Sequence, residues 1–220
     1  MNRREMIAGL AGTGAWPLAA RAQDPERLRR VVVLMGIAND AEAQARAQAL
    51  RQGLQGSGWT VGRNIQIDYI FANGDVERMN VNAKEAVASR PDLILAVTNP
   101  ALQAIRNATH GQPILFLQVS DPVGGGFVES LAHPGGNITG FTNFESDIGG
   151  KWLQTLKEIA PAVERVAVVL HPETSAHVGF LRAAQTASVA PGIRVTPLGV
   201  RDVNEIERAI TQFALLPRAA

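Results

Sequence analysis

From Val31 onward, short apolar runs alternate with longer segments in which apolar positions recur every three or four residues. Val31-Val32-Val33-Leu34-Met35 is a continuous apolar run, the pattern of a parallel strand covered on both faces. Residues 40–55 then read as a helix, with Ala45, Ala49, Leu50 and Leu54 near helical spacing and Gly56 and Gly58 as its stop. Ile65, Ile67 and Tyr69 alternate with polar positions and predict a strand. The rhythm continues with a helix over 75–89, a strand over 93–97, a helix over 100–109 and a strand over 114–119. A short helix is expected within Gly124–Leu131, then a Pro-Gly-Gly-Asn turn at 134–137 and an extended segment over 138–144. A further set follows: a helix over 150–159 stopped by Pro161, a strand over 166–170, a helix over 174–188, a strand over 195–200 and a helix over 204–213. Strands alternating with helices predict an α/β fold, a parallel sheet with helices on both faces. The first set has about five strands and the second only two. A two-stranded parallel sheet has little core of its own, so the second unit reads as incomplete.

The start of the chain does not join this rhythm. Arg3 and Arg4 precede a weakly apolar Gly/Ala-rich stretch, and Ala20-Arg21-Ala22 is a small-x-small cleavage site before Gln23. Residues 1–22 therefore read as a cleavable signal peptide, leaving an α/β unit over 23–144 and a partial one over 145–220. The apolar part is too short to span a bilayer, which takes about 20 residues. The paired arginines and low hydrophobicity fit the twin-arginine export route. A soluble periplasmic protein is the expectation. The sequence has no cysteine, which excludes disulfides, thiolate metal sites and cysteine nucleophiles, and also a lipid-bearing cysteine after the cut.

Net charge is +1 for the whole chain and falls to about −1 once the signal is removed, so there is no basic excess for nucleic acid. The hydrophobic fraction, 46%, is ordinary for a globular chain.

In open α/β sheets ligands sit beyond the carboxyl ends of the strands. Those ends carry Gly36–Asp40 with Asn39, Thr98-Asn99-Pro100, Ser120–Gly126 with Asp121, Thr142-Asn143, and His171-Pro172-Glu173-Thr174-Ser175. Hydroxyl and amide side chains ahead of helices suit a ligand carboxylate, helped by free helix N–H groups. An acid such as Asp121 or Glu173 suits an ammonium. Helix capping alone accounts for any single loop; the case for a site rests on several polar loops along one sheet edge. Gly124-Gly125-Gly126 lacks the rest of a phosphate loop, and no G-x-S-x-G elbow exists. His110, His133, His171 and His177 lack zinc spacing. Neither a metal nor a cofactor is expected, and Trp59 and Trp152 read as packing residues.

Val119-Ser120-Asp121-Pro122-Val123-Gly124 and His133-Pro134-Gly135-Gly136-Asn137-Ile138-Thr139-Gly140-Phe141 resemble segments of bacterial ABC-transporter substrate-binding proteins. So do Gln44–Gly62, Asn99-Pro100-Ala101-Leu102, Lys151-Trp152-Leu153 with Leu156-Lys157, and the signal itself. The closest group includes tryptophan and other aromatic or branched amino-acid binding proteins. The resemblance runs from Met1 to about Phe213. It implies a type I periplasmic-binding-protein fold: two doubly wound parallel-sheet lobes joined by a hinge near Thr142–Glu145, closing on a small solute and delivering it to an inner-membrane permease. Carried onto this chain, it places ligand contacts at Thr98, Asn99, Ser120 and Asp121, with Glu173 and Ser175 facing them. Family members continue for about another hundred residues, so the resemblance also implies a C-terminally truncated second lobe. The protein is then a monomeric solute-binding component and not an enzyme. A periplasmic α/β enzyme and an extracytoplasmic sensor module are the alternatives; Asp121 with His171 is the thin catalytic pairing that the first would need.

Overall fold

The computed structural model describes residues 27–190 and 192–216. The leader lies outside these residues, as does the end of the chain from Pro217. The first apolar run forms β1 (Arg29–Met35), whose last four residues are buried. It is followed by α1 (Ala41–Gly56), β2 (Ile65–Phe71), α2 (Val76–Ala88), β3 (Leu93–Val97), α3 (Asn99–Ala108), β4 (Ile114–Val119) and β5 (Ile138–Thr142). These five strands make one parallel sheet in the order β2-β1-β3-β4-β5.

Local chemistry sets the helix ends. Asp40 and Asp75 accept from the N–H groups of Ala43 (2.9 Å) and Arg78 (3.0 Å), capping α1 and α2. The end of α1 is turned by Gly58 at φ +88°, with Gly58 N–H on Gln55 O and Trp59 N–H on Leu54 O.

The chain moves left from β1 to β2 and right thereafter, so right-handed crossovers put α1 on one face and α2 and α3 on the other. The α2–α3 face holds the main core. There Met79, Ala83, Leu102 and Ile105 pack on Leu34, Ile94, Ile114 and Phe116. Gly140 of β5 makes room for it: a Cβ there would sit 2.5 Å from the Phe116 ring. The other face presents Val33, Met35, Leu95 and Val97 with Leu50 of α1. An apolar trough of about 420 Å³ runs beside α1 on this face, and Phe141 at its edge is 69% exposed.

The chain crosses through residues 143–147 into α4 (Ile148–Ile159), β6 (Arg165–Leu170), α5 (Ser175–Ala187), β7 (Arg194–Gly199) and α6 (Val203–Leu215). β6 and β7 pair in parallel as a separate two-stranded sheet. α4 and α5 approach closely at Gly149, where a Cβ would fall 2.2 Å from the Phe180 carbonyl oxygen. Trp152 packs edge-on to Phe180 at 5.2 Å while staying half exposed. The core here is thin: α6 has no fully buried residue.

The helix expected within Gly124–Leu131 is absent; the segment is a succession of turns and bends. Asp121 Oδ1 accepts from Gly124 N–H (3.0 Å), and Phe127 N–H returns to Pro122 O (2.9 Å), which closes the chain on itself. Gly126 at φ +67° completes the reversal and breaks any helical run. Among the described residues no helix is long and apolar enough to cross a membrane.

Candidate functional site

The strand order reverses direction between β1 and β3, so their carboxyl ends open a crevice. Gly36 N–H donates to Val97 O (3.1 Å), and a Cβ on Gly36 would lie 2.3 Å from Thr98 Oγ1. Only glycine fits beside that threonine. Thr98 itself sits at φ +93°, an outlier for a β-branched residue. Gln118 (φ +54°) and Asp121 (φ +46°) at the end of β4 are also left-handed. Strain of this kind concentrates where an edge is shaped for use.

Asn99 opens α3, and its amide spans the gap to β4. Nδ2 donates to Ser120 O (2.7 Å), and Oδ1 accepts from Ser120 N–H (3.0 Å). The group that reads in sequence as a ligand contact thus binds the next strand end in both directions. Ser120 Oγ donates to Asn143 Oδ1 (2.8 Å), which also accepts from Phe144 N–H (3.0 Å). Asp121 N–H donates to Phe144 O (2.8 Å). Ser120, Asp121 and Asn143 therefore stitch the end of β4 to the segment crossing between the two sheets.

Across from these loops stands the turn His171-Pro172-Glu173-Thr174 and the start of α5. Thr174 makes no side-chain cap, and the N–H groups of His177 and Val178 return to its carbonyl (3.0 and 3.4 Å). The two units touch at small residues: a Cβ on Gly125 would lie 3.0 Å from Ser175 Oγ, and one on Gly179 would lie 2.9 Å from Asp121 Oδ2.

Between them lies a cavity of about 210 Å³. Its first wall comes from α2 and α3, with Met79, Asn80, Gln103 and Asn107, together with Phe127 from the segment between β4 and β5. Its second wall is His171 to Ser175 without Pro172. Gln103 Nε2 donates to Asn107 Oδ1 (2.8 Å), so these two carboxamides are linked one turn apart. Arg106 lies over the Phe127 ring at 5.6 Å, fixing its plane. The acid in the lining, Glu173, is paired with Arg201 at 3.4 Å. A wall of amides, an imidazole, an acid and apolar carbons suits a small polar solute with an apolar part. A second cavity, about 790 Å³, lies on the other side of Ser175, lined by Asp121, Ser146, Asp147 and Arg182 among others.

Of the residues singled out from sequence, Asn99, Glu173 and Ser175 line the first cavity; Asp121 and Ser175 line the second. Asn143 borders the trough on the α1 face. Asn39 instead accepts from Gln44 Nε2 on α1, and Thr98 and Ser120 act through the backbone geometry just described. His171, in the strand-end segment 171–175, also lines the first cavity; Asn80, Gln103, Asn107 and Phe127 were not found by reading strand ends. Asn99, Gln103 and Asn107 follow one another at four-residue intervals along α3, a polar stripe that was present in the sequence.

Residues 30–215 match the family model for ABC transporter substrate binding protein. A tyrosine-binding protein from Clostridioides difficile (strain R20291) is 36% identical over 118 residues, 54% of this chain and 34% of its own length. Among solved structures, a conserved domain protein from Vibrio cholerae is similar over 86% of this chain, with TM-score 0.77 and 28% identity. The ABC domain in complex with L-Trp from Streptococcus pneumonia is similar over 84% of this chain (TM-score 0.76, 22% identity). A substrate binding protein with adhesive properties from Clostridium difficile, in a ligand-free open structure, also matches over 84% (TM-score 0.58, 28% identity). The chain spans 62% of each of these solved chains.

Proposed function

We propose, because the chain belongs to the ABC transporter substrate-binding proteins, that it is the solute-capturing component of an importer. The solute is held in the cavity between α2–α3 and the His171–Ser175 turn. The observation that carries this reading is the cavity itself, which joins two α/β units at their strand ends and is lined by linked carboxamides. Capture needs a closing contact and hydrogen-bonding groups. Gly125–Ser175 and Asp121–Gly179 supply the first, and Asn80, Gln103 and Asn107 the second.

The solute class we favour is an amino acid or a related compound, supported by the curated tyrosine-binding relative. The walls fit that chemistry. Phe127 and Met79 offer an apolar and polarisable surface for a side chain, while amide groups and the uncapped start of α5 offer partners for a backbone-like carboxylate. The protein works as a monomer after export to the periplasm, and hands its solute to a membrane permease. Calorimetric titration of the purified chain with the proteinogenic amino acids, tyrosine and tryptophan included, should give saturable heat with at least one and return the solute unchanged. Chemical conversion of a bound solute, or no saturation with any amino acid, overturns the respective part of the reading.

A further inference from the structure

The turn that forms the second wall of the cavity is held by two imidazoles. His177, in the first turn of α5, accepts at Nδ1 from the main-chain N–H of His171 (3.1 Å). His171 in turn accepts at its own Nδ1 from the N–H of Glu173 (3.4 Å). Two further main-chain bonds, Thr174 N–H to His171 O (3.2 Å) and His177 N–H to Thr174 O (3.0 Å), close the turn. His171, Glu173, Thr174 and Ser175 all face the cavity. A lone pair on Nδ1 exists only in the neutral ring with its proton on Nε2. A proton on Nδ1 removes the acceptor and sets an N–H against an N–H.

We propose that the His171–Ser175 turn is a pH-sensitive wall of the cleft, held in this shape only while His177 is uncharged and its Nδ1 can accept from the His171 N–H. The groups around His177 agree with this. Its ring packs beside Phe180, with centroids 6.4 Å apart and planes tilted by 31°. The titratable and charged groups facing it are His171 and Glu173 on the same turn, Arg201, which reaches Glu173 from the segment after β7, and, from the first lobe, Asp121, whose carboxylate lies against Gly179. Burial is the largest cause and holds the His177 imidazole below its ordinary value; the bond from the His171 main chain acts the other way and the His171 ring, by charge, acts with burial. A lowered histidine keeps its contribution above the ordinary imidazole range and loses it as pH falls through the depressed value. The wall is thus ordered at neutral pH and loosens in acid. For the solute this deepens the reading above, on which it rests: affinity falls at acid pH because one wall is lost, while the first lobe stays folded.

The loop can be tested without any solute. On the full chain, amide-exchange protection of His171 and Glu173, corrected for intrinsic rates, should fall at least tenfold between about pH 7.5 and about pH 5, a span that brackets the ordinary imidazole value. His177→Asn places a carbonyl oxygen near the Nδ1 position and does not titrate, so the His171 N–H should keep its protection in that variant. Equal protection at both pH values in the wild-type chain, or a parallel loss in His177→Asn, overturns the proposal. If the variant does not fold, the ring ¹⁵N shifts of the wild-type chain decide. A neutral His177 ring with the proton on Nε2 at pH 7.5, charging on acidification together with the amide changes, supports it; a proton on its Nδ1 at pH 7.5 overturns it. Amino-acid titrations at the two pH values separate the two readings. A pH-dependent turn in a chain that binds nothing leaves the wall standing and removes the capture function. Binding of equal strength at both pH values, with an unchanged turn, does the reverse.

Discussion

Asp121 of the first lobe and Gly179 of the second are in direct apposition: a Cβ on Gly179 would fall 2.9 Å from Asp121 Oδ2 and 3.1 Å from Ser146 Cβ. Asp121 is only 7% exposed, and its Oδ1 is already committed to Gly124 N–H. The carboxylate therefore has little room to retreat. Gly179→Ala should favour α5 locally, since alanine is the better helix former by about 1 kcal/mol. It should still hold the lobes apart. Small-angle scattering is expected to show a larger particle, and solute affinity to drop by about tenfold, equivalent to about 1.4 kcal/mol. Shortening the opposing group with Asp121→Ser should restore both. A variant that scatters and binds like the wild type would show that the contact does not limit closure.

Thr98 stores strain at the crevice. At φ +93° a β-branched residue is outside its allowed regions, and glycine is not. Thr98→Gly should raise stability by about 1 kcal/mol, the low end for such strain, visible as a higher thermal midpoint. Gly36→Ala should do the opposite, because its Cβ meets Thr98 Oγ1 at 2.3 Å. Combining the two substitutions should recover much of the loss.

Asn99→Ala removes both bonds to Ser120 and leaves a part-buried N–H and C=O without that partner. The expected cost is about 1–3 kcal/mol. It is read as a lower urea midpoint with an unchanged slope. If stability holds and only solute affinity falls, Asn99 is a ligand contact first and a clamp second.

Asp92 anchors the start of β1. It accepts from Arg30 N–H (2.8 Å) and pairs with Arg27 (3.0 Å) and Arg29 (3.3 Å). The Arg30 N–H is the main cause, the arginines assisting, that holds its carboxyl below the usual range. Asp68 is lowered as well, by bonds from Gln66 and Arg30. For acids lowered in the folded state, the stabilisation is complete above the unfolded value of about 4 and is lost as pH falls through the folded value. The urea midpoint should therefore fall on the acid side of about pH 4. Asp92→Asn should start lower at neutral pH and fall less steeply in acid. An unchanged acid limb would remove Asp92 from that role.

Much of the fold was legible because its signals are local. Val31–Met35 had to be covered on both faces, Asp40 and Asp75 cap their own helices three residues on, and Gly58 turns the end of α1, its N–H on Gln55 O and the Trp59 N–H on Leu54 O. The expected helix within Gly124–Leu131 failed for a related reason. Three successive glycines have weak helical preference, and Gly126 at φ +67° turns the chain out of the helical region. The site was legible only in part. Asn99, Asp121, Glu173 and Ser175 were marked by their place after strands, and they do lie at the cavities. Asn80, Gln103 and Asn107 were not, because a polar stripe on a helix looks the same whether it faces solvent or a partner lobe; Phe127 was not, because it lies in the turns after β4 rather than at the strand end itself.

The sequence by itself determined the order of strands and helices, the parallel sheet and the polar loops that follow the strands. These follow from periodicity, capping and handedness, which act over a few residues or one crossover. Only the tertiary structure decided what the polar groups at that edge do. Asn99 and Ser120 satisfy each other across two strands, Asp121 meets Gly179 on another lobe, and His177 holds a turn through His171. A side chain's partner is set by which distant backbone groups are left unpaired beside it, and that is fixed when the sheets and helices pack.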